Sequence, residues 1–215
     1  LPRDNWDLDH VFERMIVETE VSPNSDEVPW ISPDVRPGER RKIITGVPGK
    51  TGLIWTLDAA TGKFLWARPT VYQNIMTGLD PQTGRPSFDE STAPRLVETP
   101  AFACPHLLGG KNQPSAAYSP ETNAIYTPLN NACMDIAMST DVAGPSDGYD
   151  VRVRVRHLPG VDPDTAPVGR LEAVSASTGE TLWIYEQRAP IYGSVLATGG
   201  GLVFVTDDAR RFRAF

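Results

Sequence analysis

Apolar and polar positions along the chain change over in short runs, at the two-residue period of strands and not at the wider period of helices. Val151-Arg152-Val153-Arg154-Val155-Arg156 alternates strictly and predicts a strand with one apolar face. Lys42-Ile43-Ile44 and Leu53-Ile54-Trp55 predict two strands joined by the Gly-rich turn 46–52. Residues 192–206 predict a pair of strands joined at Gly199-Gly200-Gly201. Residues 11–18 fit a strand or a short helical turn. Residues 21–39, 71–103, 136–150 and 157–169 read as loops. No apolar run approaches the roughly 18 residues of a membrane-spanning helix.

One pattern returns. Thr56-Leu57-Asp58-Ala59-Ala60-Thr61-Gly62-Lys63-Phe64-Leu65-Trp66 reads as strand, tight turn and second strand closing on Trp66. Asp58 can accept hydrogen bonds from the backbone N–H groups ahead of it, and Gly62 supplies a positive φ. The pattern recurs as Ala173–Trp183, with Ser175 and Gly179 at the turn. A weaker copy runs over Ala117–Tyr126, with Asn123 at the glycine position, and the chain ends at Phe215 where a further copy would begin. Asn tolerates the left-handed region. The turn positions 58, 119, 175 and 216 are 61, 56 and 41 residues apart; the last interval is that of a four-stranded propeller blade, and the others are a blade plus an insertion. The expected fold is all-β, a partial β-propeller over residues 1–215 with no domain boundary. Trp66 and Trp183 are expected to pack between blades.

Composition narrows this little. The chain has 215 residues, 40% apolar and 22% charged, which is ordinary for a globular protein. A net charge of −7 argues against duplex nucleic acid as a partner. Twenty Pro and 18 Gly fit short strands and many turns. The first residue is Leu1, and the last falls inside the repeat. The chain therefore reads as an internal fragment, in which a missing leader says nothing about location.

The candidate chemistry begins with Trp6-Asp7-Leu8-Asp9. In extended backbone, residues two apart share a side, so Asp7 and Asp9 can face one site. Two such acids must share a proton or a cation, and a hard oxygen-seeking ion such as calcium suits them. The alternative is a solvated acidic loop. Lys50 lies in Gly49-Lys50-Thr51-Gly52, where the spacing is wrong for a phosphate loop. Its bland reading is a hairpin turn with a solvated ammonium. Asn112 and Gln113 offer amides to a polar ligand, or are simply turn residues. Cys104 and Cys133 form either a disulfide, in an oxidising compartment, or two buried thiols. His10, His106 and His157 have no metal-ligand spacing.

Together these stretches resemble the quinoprotein alcohol dehydrogenases, the methanol and ethanol dehydrogenase family that uses pyrroloquinoline quinone (PQQ) in an eight-bladed propeller. The repeat resembles that family's Ala-x-Asp-x-x-x-Gly-x-x-x-Trp motif. Asn5-Trp6-Asp7-Leu8-Asp9 resembles its Trp-Asp-Tyr-Asp segment, which makes Asp7 the implied catalytic base and metal neighbour. Gly49–Gly52 matches the turn whose cation contacts the quinone oxygens, implying Lys50. Cys104-Pro105, Gly110-Lys111-Asn112-Gln113 and Tyr118-Ser119-Pro120 match a segment whose Asn, here Asn112, touches PQQ. Asn131-Ala132-Cys133-Met134-Asp135 matches the segment holding the partner cysteine, implying a Cys104–Cys133 disulfide. Ile191-Tyr192-Gly193-Ser194 resembles a Trp-Gly-Gly site near the cofactor, with Tyr192 in place of Trp.

The resemblance covers essentially the whole chain and implies about half a propeller. The family's remaining metal ligands, its adjacent-cysteine disulfide and the Trp under PQQ would lie before Leu1. It implies oxidation of an alcohol to an aldehyde or ketone in the periplasm. Asp7 would take the hydroxyl proton, hydride would pass to PQQ beside a metal ion, and a cytochrome c-type acceptor would receive the electrons. A half ring is expected to be inactive by itself. The metal would be calcium or a lanthanide; Asp9, two residues after the base, stands where the lanthanide-type enzymes carry an added carboxylate. A different class of function, a non-catalytic PQQ-repeat propeller used as a binding scaffold, shares the docking motif but has no reason to keep Asp7, Asp9, Lys50 and Asn112 together.

Overall fold

The computed structural model describes residues 4–95, 99–139 and 150–215. Its strands, in chain order, are β1 (Met15–Val21), β2 (Trp30–Ile31), β3 (Glu39–Gly46), β4 (Leu53–Asp58), β5 (Phe64–Pro69), β6 (Met76–Leu79), β7 (Pro86–Phe88), β8 (Ala101–Ala103), β9 (Ala117–Ser119), β10 (Ala124–Asn130), β11 (Cys133–Ser139), β12 (Asp150–Arg156), β13 (Gly169–Ser175), β14 (Thr181–Gln187), β15 (Leu196–Ala197), β16 (Val203–Thr206) and β17 (Phe212–Ala214). The only helical element among the described residues is a single 3₁₀ turn at Glu90–Thr92.

Three antiparallel sheets follow one another as blades. The first is the meander β1-β3-β4-β5, with β2 added at its outer edge beside β5. The second is the meander β9-β10-β13-β14, and the third is β15-β16-β17. Two further sheets are insertions. The hairpin β6-β7 follows the first blade, and β8-β11-β12 interrupts the second, because β11 and β12 lie between β10 and β13.

The two strong repeats occupy the same place in their blades, as the turn between the third and fourth strands. Gly62 N donates to Asp58 O at 2.8 Å, and Gly179 N to Ser175 O at 2.9 Å. Each strand pair carries a register irregularity at the same distance before the turn, at Thr56/Leu57 and at Ala173/Val174. The weaker copy differs. Its turn joins β9 to β10 inside the second blade, so it marks no blade of its own, although Asn123 does take a positive φ of 50°. Ile136 to Ser139, expected as loop, complete β11, whose alternating apolar face pairs with β12. The rest of that expected loop, 140–149, lies outside the described residues. Of residues 11–18, the last four form the start of β1, which alternates exposed and buried positions along its length, while 11–14 are irregular.

Packing between the first two blades is continuous. Trp66, Ile43, Ile54 and Leu65 of the first share one core cluster with Ile125, Val174 and Ala176 of the second. Trp183 repeats the arrangement one blade on, stacked on Phe215 with centroids 5.6 Å apart. A second cluster unites Trp6, Leu8 and Ile75 with Ala101, Ala103, Met134 and Ile136 of the inserted sheet. That cluster anchors the segment carrying the candidate acids.

Candidate functional site

Trp6 and Leu8 are the buried members of the Trp6–Asp9 segment, at 1% and 0% exposure. The Trp6 indole N–H donates to Thr92 O at 2.7 Å, and the ring packs on Phe88. Burying these two turns Asp7 and Asp9 outward together. The backbone is not uniformly extended there, because Asp7 sits in the left-handed region at φ 61°. Such a conformation is uncommon for a residue other than glycine.

Both carboxylates meet Lys50. Its Nζ lies 2.7 Å from Asp7 Oδ2 and 3.0 Å from Asp9 Oδ2. The backbone joins as well, since Lys50 N donates to Asp9 O at 2.9 Å. The Lys50 side chain is nearly buried while the two acids are about half exposed. Burial acts to lower the pKa of the Lys50 ammonium, but the hydrogen bonds and charges of Asp7 and Asp9 outweigh it and hold the pKa above its usual value. Next to them, His10 Nε2 and Thr51 Oγ1 share a hydrogen bond of 3.1 Å. Loss of solvent, then nearby positive charge including Arg14, brings the His10 pKa down to about 4.

A chain of backbone contacts carries the site from blade to blade. Gly110 N donates to Lys50 O at 2.8 Å, and Asn130 N donates to Gly110 O at 2.8 Å. Ile191 N donates to the Asn130 side chain at 3.0 Å, which places Tyr192 next in line. The approach of the 104–113 loop depends on Gly109, at φ 81°, where a Cβ would fall 2.5 Å from Lys50 Cα. The loop containing Asn112 therefore sits on the same end of the structure as Asp7, Asp9 and Lys50. Its amide is turned to local use: Nδ2 donates to Leu108 O at 2.7 Å, and Oδ1 accepts from Gln113 N at 2.8 Å. Tyr192 is half-buried, and loss of solvent, with Asp208 adding to it, raises its pKa.

Cys104 and Cys133 form a disulfide, with Cα atoms 4.3 Å apart. The bond ties the start of the 104–113 loop to the first residue of β11. Sequence reasoning missed a second tie. Lys111, fully buried, places Nζ 2.9 and 3.0 Å from the two oxygens of Glu13, and Glu13 also accepts from Ala116 N at 2.8 Å. This pair joins the segment just after the acids to the loop of Asn112. The two residues are 98 positions apart, and nothing in a single sequence signals the pairing.

The donor chemistry fits a hard cation. Two carboxylates converge on one point, where a positive charge, here the ammonium, compensates them. Among the described residues no group of three or more His, Cys, Asp and Glu gathers as a metal cluster, so Asp7 and Asp9 account for only part of such an ion's shell. No described helix is long and apolar enough to cross a membrane.

Interlocked antiparallel blades packed one on the next define a partial β-propeller, with the Asp–Lys–Asp cluster among its loops. Comparison with known proteins agrees. The chain is 32% identical over 213 residues to the dehydrogenase subunit of alcohol dehydrogenase (quinone) from Acetobacter aceti, covering 94% of this chain and 26% of that protein. It is 32% identical over 183 residues to lupanine 17-hydroxylase [cytochrome c] from a Pseudomonas species, covering 83% and 25%. A europium-containing methanol dehydrogenase superposes with a TM-score of 0.79 at 25% identity, over 98% of this chain and 34% of the other. No family model matches. Over nearly its whole length the chain is similar to quinoprotein alcohol dehydrogenases, and it spans about a quarter to a third of the length of these relatives.

Proposed function

We propose that residues 1–215 form one partial-propeller domain of a periplasmic PQQ-dependent alcohol dehydrogenase and carry its catalytic base. The observation that carries this reading is the convergence of Asp7 and Asp9 on the nearly buried Lys50. A scaffold gains nothing from a half-exposed acid pair held in this way.

When bound, PQQ would supply the two-electron acceptor and the metal beside it a Lewis acid. Asp7, exposed at the edge of a cleft, accepts the hydroxyl proton of the alcohol through a carboxylate oxygen. Lys50 would supply a positive charge and hydrogen-bond donors to the quinone oxygens, where negative charge develops. Asn112 and Tyr192 would contact the cofactor, Asn112 in exchange for its hydrogen bond to Leu108. Asp7 and Asp9 would hold the cation in the place where the Lys50 ammonium now compensates them, and Trp6 and Leu8 keep their backbone in place. The disulfide fits an oxidising compartment. Electrons leave to a c-type cytochrome, a reading supported by the name of the lupanine-hydroxylating relative.

Asp9 favours a light lanthanide over calcium, because a trivalent ion takes more negative oxygen donors. The test is full-length apoprotein given PQQ with either lanthanum or calcium. Lanthanum should give the higher alcohol oxidation, and Asp9→Ala should remove that preference. Equal or better activity with calcium, or an unchanged lanthanum response in Asp9→Ala, refutes the metal assignment. Persistence of activity in Asp7→Ala refutes the base.

A further inference from the structure

A cleft of about 420 Å³ opens beside Asp7. On one side lie Trp6 and Asp7; the other walls are Leu107 together with Ile136 and Met138 of β11 and Val151 of β12. Asp7, with Asp4 and Asn5, forms the polar edge of the cleft, opposite an aliphatic wall. Met138 and Val151 face each other directly across the β11-β12 pairing. They belong to the same sheet face as Met134 and Ile136, which are buried against Trp6 and Leu8. The apolar face of the inserted sheet therefore runs out of the core and into the cleft.

The insertion is not needed to build a blade. In the first blade the corresponding connection, from β3 to β4, is the short turn 47–52. In the second, the connection from β10 to β13 detours through β11 and β12 and places their aliphatic face beside the base. A second cleft of about 320 Å³, between His10, Trp55 and Pro86 on the open face of the first blade, has no acid in its lining.

We propose that the cleft between Trp6 and the inserted sheet is the pocket for the body of the substrate, and that it selects alcohols carrying an alkyl chain or ring over methanol. The inference rests on the proposed function and adds a substrate class to it. A cleft of this volume lies in the range that holds ligands much larger than methanol. With the hydroxyl at Asp7, the carbon chain lies along Leu107, Ile136, Met138 and Val151. Each methylene moved from water onto that surface raises kcat/KM roughly three- to fourfold.

The experiment is a series of linear primary alcohols from methanol to hexanol with the full-length holoenzyme. A rise in kcat/KM of at least about a hundredfold across the series is expected from that increment. Val151→Glu, on a half-exposed strand position, places a charge in the cleft and should lower the hexanol-to-methanol ratio at least tenfold. A second readout needs no turnover: hexanol added to the same protein with ¹³C-labelled methionine methyls should shift the Met138 signal. A profile that is flat or greatest for methanol, or a ratio unmoved by Val151→Glu, overturns the pocket while the alcohol reaction stands. If no alcohol is oxidised, the reaction fails, and the Met138 signal decides the pocket: a saturable shift supports it and no shift overturns it.

Discussion

The indole of Trp66, on the last strand of the first blade, lies on Gly179, the turn glycine of the second. A Cβ built on Gly179 would stand 3.1 Å from Trp66 Cη2 and Cζ3 and 2.7 Å from Val28 Cγ2. The motif glycine thus serves two blades: its φ of 71° makes its own turn, and its missing side chain admits the tryptophan of the preceding repeat. Trp66→Ala should destabilise the fold by about 3–5 kcal/mol. Gly179→Ala should cost about 1–2 kcal/mol from the left-handed backbone alone, with the crowding of Trp66 added. Urea denaturation followed by tryptophan fluorescence measures both. A Gly179→Ala variant as stable as the parent would contradict this docking.

Arg68 crosses between the same two blades. Its Nη2 donates to Glu172 Oε1 at 2.8 Å and its Nε to Gly179 O at 2.6 Å, with Glu172 wholly buried. Arg170 and Thr181 occupy further acceptor positions of that carboxylate. Removing Arg68 takes the closer cation from the buried carboxylate and leaves it only the longer pair with Arg170, at 3.3 Å. Arg68→Ala should therefore cost about 3–5 kcal/mol, and Arg68→Met combined with Glu172→Leu should recover most of it. Thermal unfolding of the two variants gives the comparison; equal losses in both would show that the charges do not act as a pair.

The disulfide closes a separation of 29 residues that contains the Asn112 loop, β9 and β10. Replacing both cysteines by serine should lower stability by roughly 2–4 kcal/mol. The 104–113 loop should also lose protection in hydrogen exchange, since Cys104 is its covalent anchor to β11. Exchange at Gly109 and Gly110 identical to the parent's would show that the backbone bonds to Lys50 and Asn130 suffice without it.

His10 sets a pH dependence. Its pKa is about 4 in the folded protein, lowered mainly by burial from an ordinary 6.5. Above pH 6.5 the ring is neutral in both states and its effect on stability is nil. As pH falls from 6.5 toward 4, the unfolded chain takes up a proton that the folded one refuses, and stability drops, by on the order of 1–3 kcal/mol. His10→Gln, which can keep a hydrogen bond to Thr51, should flatten that limb in chemical denaturation between pH 4 and 7. A variant with the parent's slope would assign the dependence to other groups.

The sequence by itself determined the strands around the two strong repeats, their turns and the family resemblance, but not the short strands β2, β6, β7 and β8, which fall in stretches that read as loop. The reason is local: a two-residue apolar period, an Asp or Ser that caps its own turn, and a glycine at positive φ are all properties of neighbouring residues. Asp7 and Asp9 were legible as a pair because Trp6 and Leu8 alternate with them. The status of the weaker copy was not legible, because Ser119 to Asn123 carries correct turn chemistry whichever strands it joins; only pairing of β10 with β13 put it inside the second blade. The end of β11 was hidden for a similar reason, since Ile136 to Ser139 becomes strand through its partners on β12 and β8. Tertiary structure alone decided that Lys50 is buried against both acids, that Lys111 is paired with Glu13, and that an inserted sheet turns its apolar face toward Asp7. Each of these joins residues tens of positions apart, and their energies depend on burial and charge proximity that exist only once the blades have packed.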